Sequence, residues 1–215
     1  YFLWRVVKKV RDLDPASTLL LLHSFAGSIF YAAIWFTIPI MLVEGLAPNL
    51  WGVSLGIFDL AVVLLGSFLG KLADRADPKR LIFYGLLLFV LAGAFLGFNL
   101  NIFFLFLGFL AAVGDEMSTL ALWTWLERLK DNHEEEGLLN GALVLVSDLG
   151  WTVGPIAAGF LYFSIGPAWT IAGATIPLLL VWLLSAFLFG TVSRRTKLTP
   201  IRSIPSIPVQ LRDRS

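Results

Sequence analysis

The chain has 215 residues, of which 58% are hydrophobic and 14% are charged. Soluble domains are roughly 45–50% apolar and about 25% charged, so this composition excludes a soluble globular protein. The 16 lysines and arginines nearly cancel the 15 aspartates and glutamates, and there is no cysteine. Net charge therefore gives no indication of nucleic-acid binding, and the lack of cysteine excludes disulfides, thiolate metal sites and cysteine nucleophiles.

Six apolar runs are each long enough to cross a membrane, which takes about 20 residues in a helix. They cover residues 16–43, 50–70, 80–98, 102–126, 138–163 and 167–190. Asp14 and Asp77 each precede a proline, Pro15 or Pro78, and an N-cap residue followed by proline predicts a helix start. The sequence thus predicts an all-α polytopic membrane protein with a six-helix bundle over residues 16–190.

The basic residues lie on one side of these spans. All 16 lysines and arginines fall before the first span, in or next to the connection between the second and third spans, in the connection between the fourth and fifth spans, or after the sixth span. The other connections, 44–49, 98–101 and 164–168, contain none. By the positive-inside rule, both termini and the basic loops are predicted to be cytoplasmic. Residues 1–15 are predicted to form an interfacial segment or a linker, and residues 191–215, with three prolines, a disordered cytoplasmic tail.

The junction between the second and third spans carries the first motif. A glycine is followed four and five residues later by Asp-Arg and then by a basic pair, namely Gly70, Asp74, Arg75, Lys79 and Arg80. This pattern resembles the loop signature of the major facilitator superfamily, although Asp77 stands where the family usually has glycine. The resemblance implies a conformational latch in which Gly70 allows a helix of the other half to approach. Asp74 would then face the positive N-terminal end of that helix.

The fifth span carries the second motif, consisting of Gly141, Gly150, Gly154, Pro155, Ala158 and Gly159. It resembles the signature associated with antiporter members of the same superfamily, with Ala158 in place of glycine. At about 100° per residue, Gly150, Gly154 and Ala158 form a stripe suited to close helix packing, and Pro155 allows a bend. An ordinary packing stripe with a kink is the alternative.

The resemblance covers residues 16–190, one six-helix half of the usual twelve helices. A first-half fourth helix would be expected to carry an arginine-glycine pattern, which is missing from Phe103 to Gly114. This absence, together with the basic segment before the first span, favours the second half, whereas the antiporter signature normally lies in the fifth helix of a first half, so both assignments stay open.

Five ionisable residues lie within the spans: His23, Asp59, Asp115, Glu116 and Asp148. Such residues cost several kcal/mol at membrane depth, so each is a functional candidate. The family's first and fourth helices line the cavity, which makes Asp115 and Glu116 the best candidates for a substrate or proton site. They diverge by about 100°, so at most one is expected to face the cavity centre, and a pair hydrogen-bonded within the protein is the alternative. His23 is a candidate for the same pathway or an interface residue, and Asp59 and Asp148 are predicted inter-half contacts.

The sequence predicts a secondary transporter in the plasma or inner membrane. Its expected partners are the lipid bilayer, a second six-helix half and a small organic solute, with protons as the candidate coupling ion and no nucleic acid. The antiporter-like motif favours proton-coupled export. A uniporter or importer of a sugar-like solute is the alternative, and a non-transporting six-span scaffold is the alternative class. Neither enzymatic chemistry nor a cofactor is predicted, and the run from Asn132 to Glu136 lacks a second histidine at metal-ligand spacing.

Overall fold

A computed structural model describes residues 14–45, 51–98, 102–129 and 136–192, and every regular element in these ranges is an α-helix. The helices are α1 (Pro15–Gly45), α2 (Trp51–Arg75), α3 (Pro78–Leu96), α4 (Ile102–Leu129), α5 (Glu136–Ile165), α6 (Pro167–Ala174) and α7 (Ile176–Val192). The all-α prediction is therefore confirmed. The predicted segment at residues 1–15, apart from its last two residues, and the predicted tail beyond Val192 lie outside the described residues.

Within the described residues, five segments are long and apolar enough to cross a membrane. They lie in α1, α3, α4, α5 and the consecutive pair α6 and α7. The 25-residue helix α2 occupies the position of the remaining predicted span. The order of the helices along the chain and their lengths thus agree with the predicted polytopic bundle.

The helix starts at Asp14 and Asp77 are confirmed. The Asp14 Oδ1 atom accepts hydrogen bonds from the backbone N–H groups of Ala16 and Ser17 at 2.8 and 2.9 Å. The Asp77 Oδ1 atom accepts one from the Lys79 backbone N–H at 3.1 Å. Each carboxylate satisfies N–H groups that have no partner inside the helix, which fixes where α1 and α3 begin.

Two predicted boundaries differ from the structure. Helix α2 continues to Arg75, five residues past the predicted end at residue 70, so Asp74 lies in its last turn rather than in a loop. The charged residues end the apolar run but not the helix, because helical hydrogen bonding continues into the polar interface. The last predicted span is divided at Thr175 into α6 and α7. Pro177 explains the division, since it has no N–H to donate to Gly173 and its ring crowds that carbonyl.

Helix α4 packs most extensively on α3, and it also packs on α2. At the crossing of α3 and α4 the two backbones are in contact. A Cβ atom placed on Gly114 would lie 2.6 Å from the backbone nitrogen of Phe89 and 2.7 Å from the carbonyl oxygen of Gly85. No side chain fits at that distance, so glycine at position 114 permits the crossing. The adjacent residue, Asp115, is therefore held at a fixed place relative to α3.

The main partner of α1 is α5. A Cβ atom on Gly150 would lie 2.6 Å from the Cβ of Ser28, and one on Gly154 would lie 2.7 Å from the Cβ of Ala32. The predicted small-residue stripe therefore faces α1. At the end of the bundle away from the basic junctions, the Tyr162 hydroxyl of α5 donates to Glu44 Oε2 of α1 at 2.7 Å. Contacts at two levels along α5, at Gly150 and Gly154 and again at Tyr162, thus join it to α1.

Candidate functional site

The buried polar contacts between α1 and α4 centre on Asp115. Its Oδ1 atom lies 3.0 Å from His23 Nε2, and its Oδ2 atom accepts a hydrogen bond from the Tyr31 hydroxyl at 2.9 Å. The same Nε2 atom is 2.9 Å from Thr119 Oγ1, one turn further along α4. These four residues, His23, Tyr31, Asp115 and Thr119, are called the Asp115 cluster below.

Two side chains contact the Nε2 atom of His23, the carboxylate of Asp115 and the hydroxyl of Thr119. An ionised carboxylate can only accept a hydrogen bond, so Nε2 is the donor where Asp115 is ionised. The Nδ1 atom is buried and has no hydrogen-bond partner among the described residues. His23 is only 3% exposed, and burial between helices is compatible with both interpretations, an interface residue and a place in the substrate or proton pathway. Both stay predictions.

The cluster follows from spacing along α1. His23, Gly27 and Tyr31 are four residues apart, so they lie on one face of the helix. A Cβ atom on Gly27 would stand 3.9 Å from Asp115 Oδ1, which places the α1 backbone beside the carboxylate. The aromatic ring of Phe89 packs edge-on against Phe30, with ring centroids 5.0 Å apart, and supports the same part of α1. Backbone contacts and ring packing together position the two donors around Asp115.

A cavity of about 480 Å³ lies beside the cluster, between α1, α4 and α5. Its wall includes His23, Tyr31, Asp115 and Thr119, the aromatic Trp123, and Asp148 from α5. The Asp115 side chain is 25% exposed, so it is accessible from the cavity while both of its oxygens are hydrogen-bonded to α1. The cavity thus combines two carboxylates, hydroxyl groups and aromatic surfaces, which suit a small organic solute and a proton.

Hydroxyl groups also join α1 to α5 at the wall of the cavity. The Ser28 and Ser147 side-chain oxygens are 2.9 Å apart, and both residues line the cavity. This contact lies one helical turn from Gly150, where α1 and α5 are in closest contact. The small side chains at these positions leave room for the cavity.

The other predicted pathway and contact residues occupy different places. Glu116 points away from Asp115, since its Oε1 atom lies 3.9 Å from a Cβ placed on Gly66 of α2, and it is not among the residues that line the cavity. The divergence expected from the helical repeat is therefore observed. Asp59 is exposed on α2, and Asp148 is exposed on α5 at the edge of the cavity. Their assignment as inter-half contacts stays a prediction.

The residues of the first motif gather at the basic end of the bundle. Gly70 has no atom within 4 Å of the Cβ position, so its face of α2 is open within the described structure. The Asp74 carbonyl accepts a hydrogen bond from Arg128 Nη2 at 2.9 Å, which joins the ends of α2 and α4. Arg80 Nε lies 3.8 Å from Asp77 Oδ2, and Lys79 Nζ lies 5.8 Å from the centroid of the Trp125 ring. Arg75 is exposed in the last turn of α2.

The second motif divides between contact and open surface. A Cβ atom placed on Gly159 would lie 3.4 Å from the ring of Phe36, whereas Gly141 is exposed with no atom within 4 Å of its Cβ position. Pro155 lies inside α5, where it removes one helical hydrogen bond. The motif thus contributes both to helix packing and to open surface, and the roles of both motifs in transport stay predictions.

Sequence reasoning missed Tyr31, Trp123 and the role of Thr119 as the partner of His23. The available signal was the spacing of polar and small residues on α1, where Tyr31 follows His23 by two turns. In the described part of the chain, no group of three or more histidines, aspartates and glutamates is arranged to hold a metal ion.

Comparison with known proteins identifies the family. A family model for the Major Facilitator Superfamily matches residues 19–213. A search among curated proteins returned no significant match. Members of the superfamily are transporters rather than enzymes, so the protein is a multi-pass membrane protein of the secondary-transporter class. By this match over nine-tenths of its length and by its helical bundle, the chain belongs to the major facilitator superfamily and corresponds to one six-helix half of that fold.

Proposed function

We propose that this bundle is half of a carrier that exchanges a small organic solute for protons by alternating access. The solute occupies the cavity beside the Asp115 cluster, and Asp115 carries the proton. One observation supports this assignment above the others: a carboxylate at membrane depth faces a cavity and accepts two hydrogen bonds from a neighbouring helix. Protonation removes the charge that His23 and Tyr31 stabilise, which weakens the contact of α1 with α4. Proton binding and helix position are thereby linked.

Two exposed carboxylates support a second six-helix half as the partner. Asp59 and Asp148 lie on the outer surface of the described bundle, Asp148 in a helix long and apolar enough to cross the membrane and Asp59 in α2, at the position of the second predicted span. A carboxylate in contact with lipid costs several kcal/mol, so both require a protein or aqueous environment. The surface next to the cavity is therefore covered by the other half, and Asp59 and Asp148 are inter-half contacts.

The charge distribution supports the orientation. Every lysine and arginine lies at one end of the spans or in the chain beyond them, and the opposite connections have none. The positive-inside rule then assigns this end to the cytoplasm of a plasma or inner membrane. In that orientation Gly70, Asp74, Arg75, Lys79 and Arg80 form the cytoplasmic latch that the family resemblance implies.

A proton-flux assay tests the function. The protein is reconstituted together with the complementary six-helix half in vesicles that contain a pH-sensitive dye, and glucose and a set of charged and uncharged organic solutes are added in turn. Proton movement that depends on one of the solutes, and that Asp115→Asn abolishes, is the expected result. Glu127→Gln is the matched control because Glu127 is an exposed carboxylate near the basic end of the same helix. It should leave the flux unchanged.

The same assay separates the alternatives. Saturable glucose uptake without proton movement would replace the proposal by a sugar uniporter. A protein that neither binds nor transports any of the added solutes would favour the non-transporting scaffold. If Asp115→Asn and Glu116→Gln both exchange protons as the wild type does, neither carboxylate takes part in the coupling step.

The half-carrier proposal has its own test. Vesicles that contain residues 1–215 alone should show no solute flux, and addition of the complementary six-helix half should restore it. Gly70→Leu should prevent the restoration because a large side chain blocks close helix approach. Saturable transport by monomeric residues 1–215 would contradict the proposal.

A further inference from the structure

A second cavity, of about 440 Å³, lies at the basic end of the bundle, between α3 and α7. The residues that line it come from the first two turns of α3 with its N-cap, and from the last turns of α7. Arg80 and Tyr84 on its wall have side chains that are largely exposed, so the cavity opens on the surface of the bundle. This cavity is called the basic groove below, and it is separate from the cavity beside Asp115.

Two rows along α3 each place a cation one turn before an aromatic ring. Lys79 and Phe83 are four residues apart, and so are Arg80 and Tyr84, so each pair lies on one face of the helix. All four residues line the basic groove. The rings lie about 6 Å further into the span than the cations, since a helix rises 1.5 Å per residue. The groove is thus charged at the end of the span and apolar toward the interior of the membrane.

The charge at the mouth of the groove is positive overall. Among the residues that line it, Asp77 carries the one carboxylate, and its Oδ1 atom accepts the capping hydrogen bond from the Lys79 backbone N–H. Its Oδ2 atom lies 3.8 Å from Arg80 Nε. A guanidinium has five N–H donors in a planar fork, so this long contact leaves donors for a second anion. The Arg80 side chain is 81% exposed, which makes those donors accessible.

The apolar wall indicates what kind of anion fits. The Phe83 ring packs against Trp182 of α7 with centroids 5.3 Å apart, and Ala186, the smallest side chain on the wall, leaves space on the α7 side. A free phosphate ion has no apolar part to bury on this wall, whereas a phospholipid carries its acyl chains next to its phosphate. Tyr84 is 60% exposed, and an amphipathic ring of this kind is typical of the membrane–water interface.

We infer that the basic groove binds one anionic phospholipid. Its phosphate contacts Arg80 and Lys79, and the upper part of an acyl chain lies along Phe83, Tyr84 and Ala186. Because α3 and α7 both line the groove, the bound lipid joins the ends of these two helices at the membrane surface. The lipid is not the transported solute, so the inference is independent of what the carrier exchanges.

Native mass spectrometry of the purified chain in neutral detergent counts the lipids bound to each protein. Phosphatidylglycerol and phosphatidylcholine with the same acyl chains are titrated separately, and one saturable site that prefers phosphatidylglycerol is expected. Arg80→Gln and Lys79→Gln should each weaken its binding about fivefold, which corresponds to about 1 kcal/mol for a basic residue near an anionic lipid surface. Lys71→Gln is the matched control. It removes the same charge from the exposed surface of α2 and should leave the affinity unchanged.

A second pair of variants tests the apolar part of the groove. Ala186→Phe fills the groove without changing its charge and should weaken binding of phosphatidylglycerol. Leu183→Phe is its control, because Leu183 is an exposed residue of α7 that does not line the groove. It should bind the lipid as the wild type does.

Three results would overturn the inference. Equal affinities for the two lipids would remove the anionic headgroup, and equal losses in Arg80→Gln and Lys71→Gln would show a general attraction between charges rather than a site. Displacement of the lipid by inorganic phosphate at the same concentration would make the groove a site for free phosphate. Arg80 and Lys71 are both exposed, so neither variant removes a buried contact on which folding depends. The proton-flux assay tests the carrier function separately.

Discussion

Replacement of Gly114 by alanine tests the crossing that positions Asp115. The new methyl group would lie 2.6 Å from the Phe89 backbone nitrogen and 2.7 Å from the Gly85 oxygen, whereas ordinary contact begins at 3.4 Å. Both neighbours are backbone atoms, so α3 and α4 must separate locally by roughly 0.8 Å. Overpacking of this kind costs about 1–3 kcal/mol, and alanine regains about 0.5–1 kcal/mol over glycine inside a helix. The expected net loss therefore lies between zero and about 2.5 kcal/mol, with a middle value of about 1 kcal/mol.

Unfolding in mixed detergent micelles, followed by tryptophan fluorescence, measures this difference. Gly56→Ala is the matched control, because Gly56 lies in α2 with no atom within 4 Å of its Cβ position. It should be neutral or stabilising by up to about 0.5–1 kcal/mol. Equal stabilities of the two variants would refute the reasoning that backbone contact at Gly114 sets the distance between α3 and α4.

Three further predictions use other contacts. Asp77→Ala should destabilise the protein by about 1 kcal/mol in the same unfolding assay, and Asp77→Asn by much less, since asparagine also caps helices; equal losses would contradict the capping role. A double-mutant cycle with Ser28→Ala and Ser147→Ala should give a coupling of about 0.6 kcal/mol, and additive losses would show that their hydrogen bond does not stabilise the bundle. A thiol at Ala76→Cys in this cysteine-free chain should react with an impermeant maleimide only from the cytoplasmic side, and labelling of intact cells from outside would reverse the orientation.

Local rules predicted the helices well. Asp14 and Asp77 cap the helices that they were expected to begin, and apolar length marked the crossings, because both signals depend on a few neighbouring residues. The end of α2 was placed too early because hydropathy records the boundary of the membrane rather than that of the helix. The break at Thr175 was missed although Pro177 follows it by two residues.

The candidate site was predicted only in part. Asp115 was identified because a carboxylate within an apolar span is visible in the sequence, and its cost in free energy at membrane depth marks it as a functional candidate. Its donors were not identified together, because His23 and Tyr31 lie 92 and 84 residues before it and only the packing of α1 on α4 joins them. His23 illustrates the difficulty: its depth in the span was readable, but its burial depends on two other helices.

Glycine contacts join α3 to α4 and α1 to α5, and these two sets also meet directly, because Gly93 of α3 packs against the Phe30 ring of α1. Between these sets, the buried polar contacts of α1 with α4 are those of the Asp115 cluster, within the part of the chain that the structure describes. Backbone packing has no dependence on charge, whereas these hydrogen bonds depend on one carboxylate. A change in the charge of Asp115 would therefore act on the contact of α1 with α4 and leave the glycine contacts as they are.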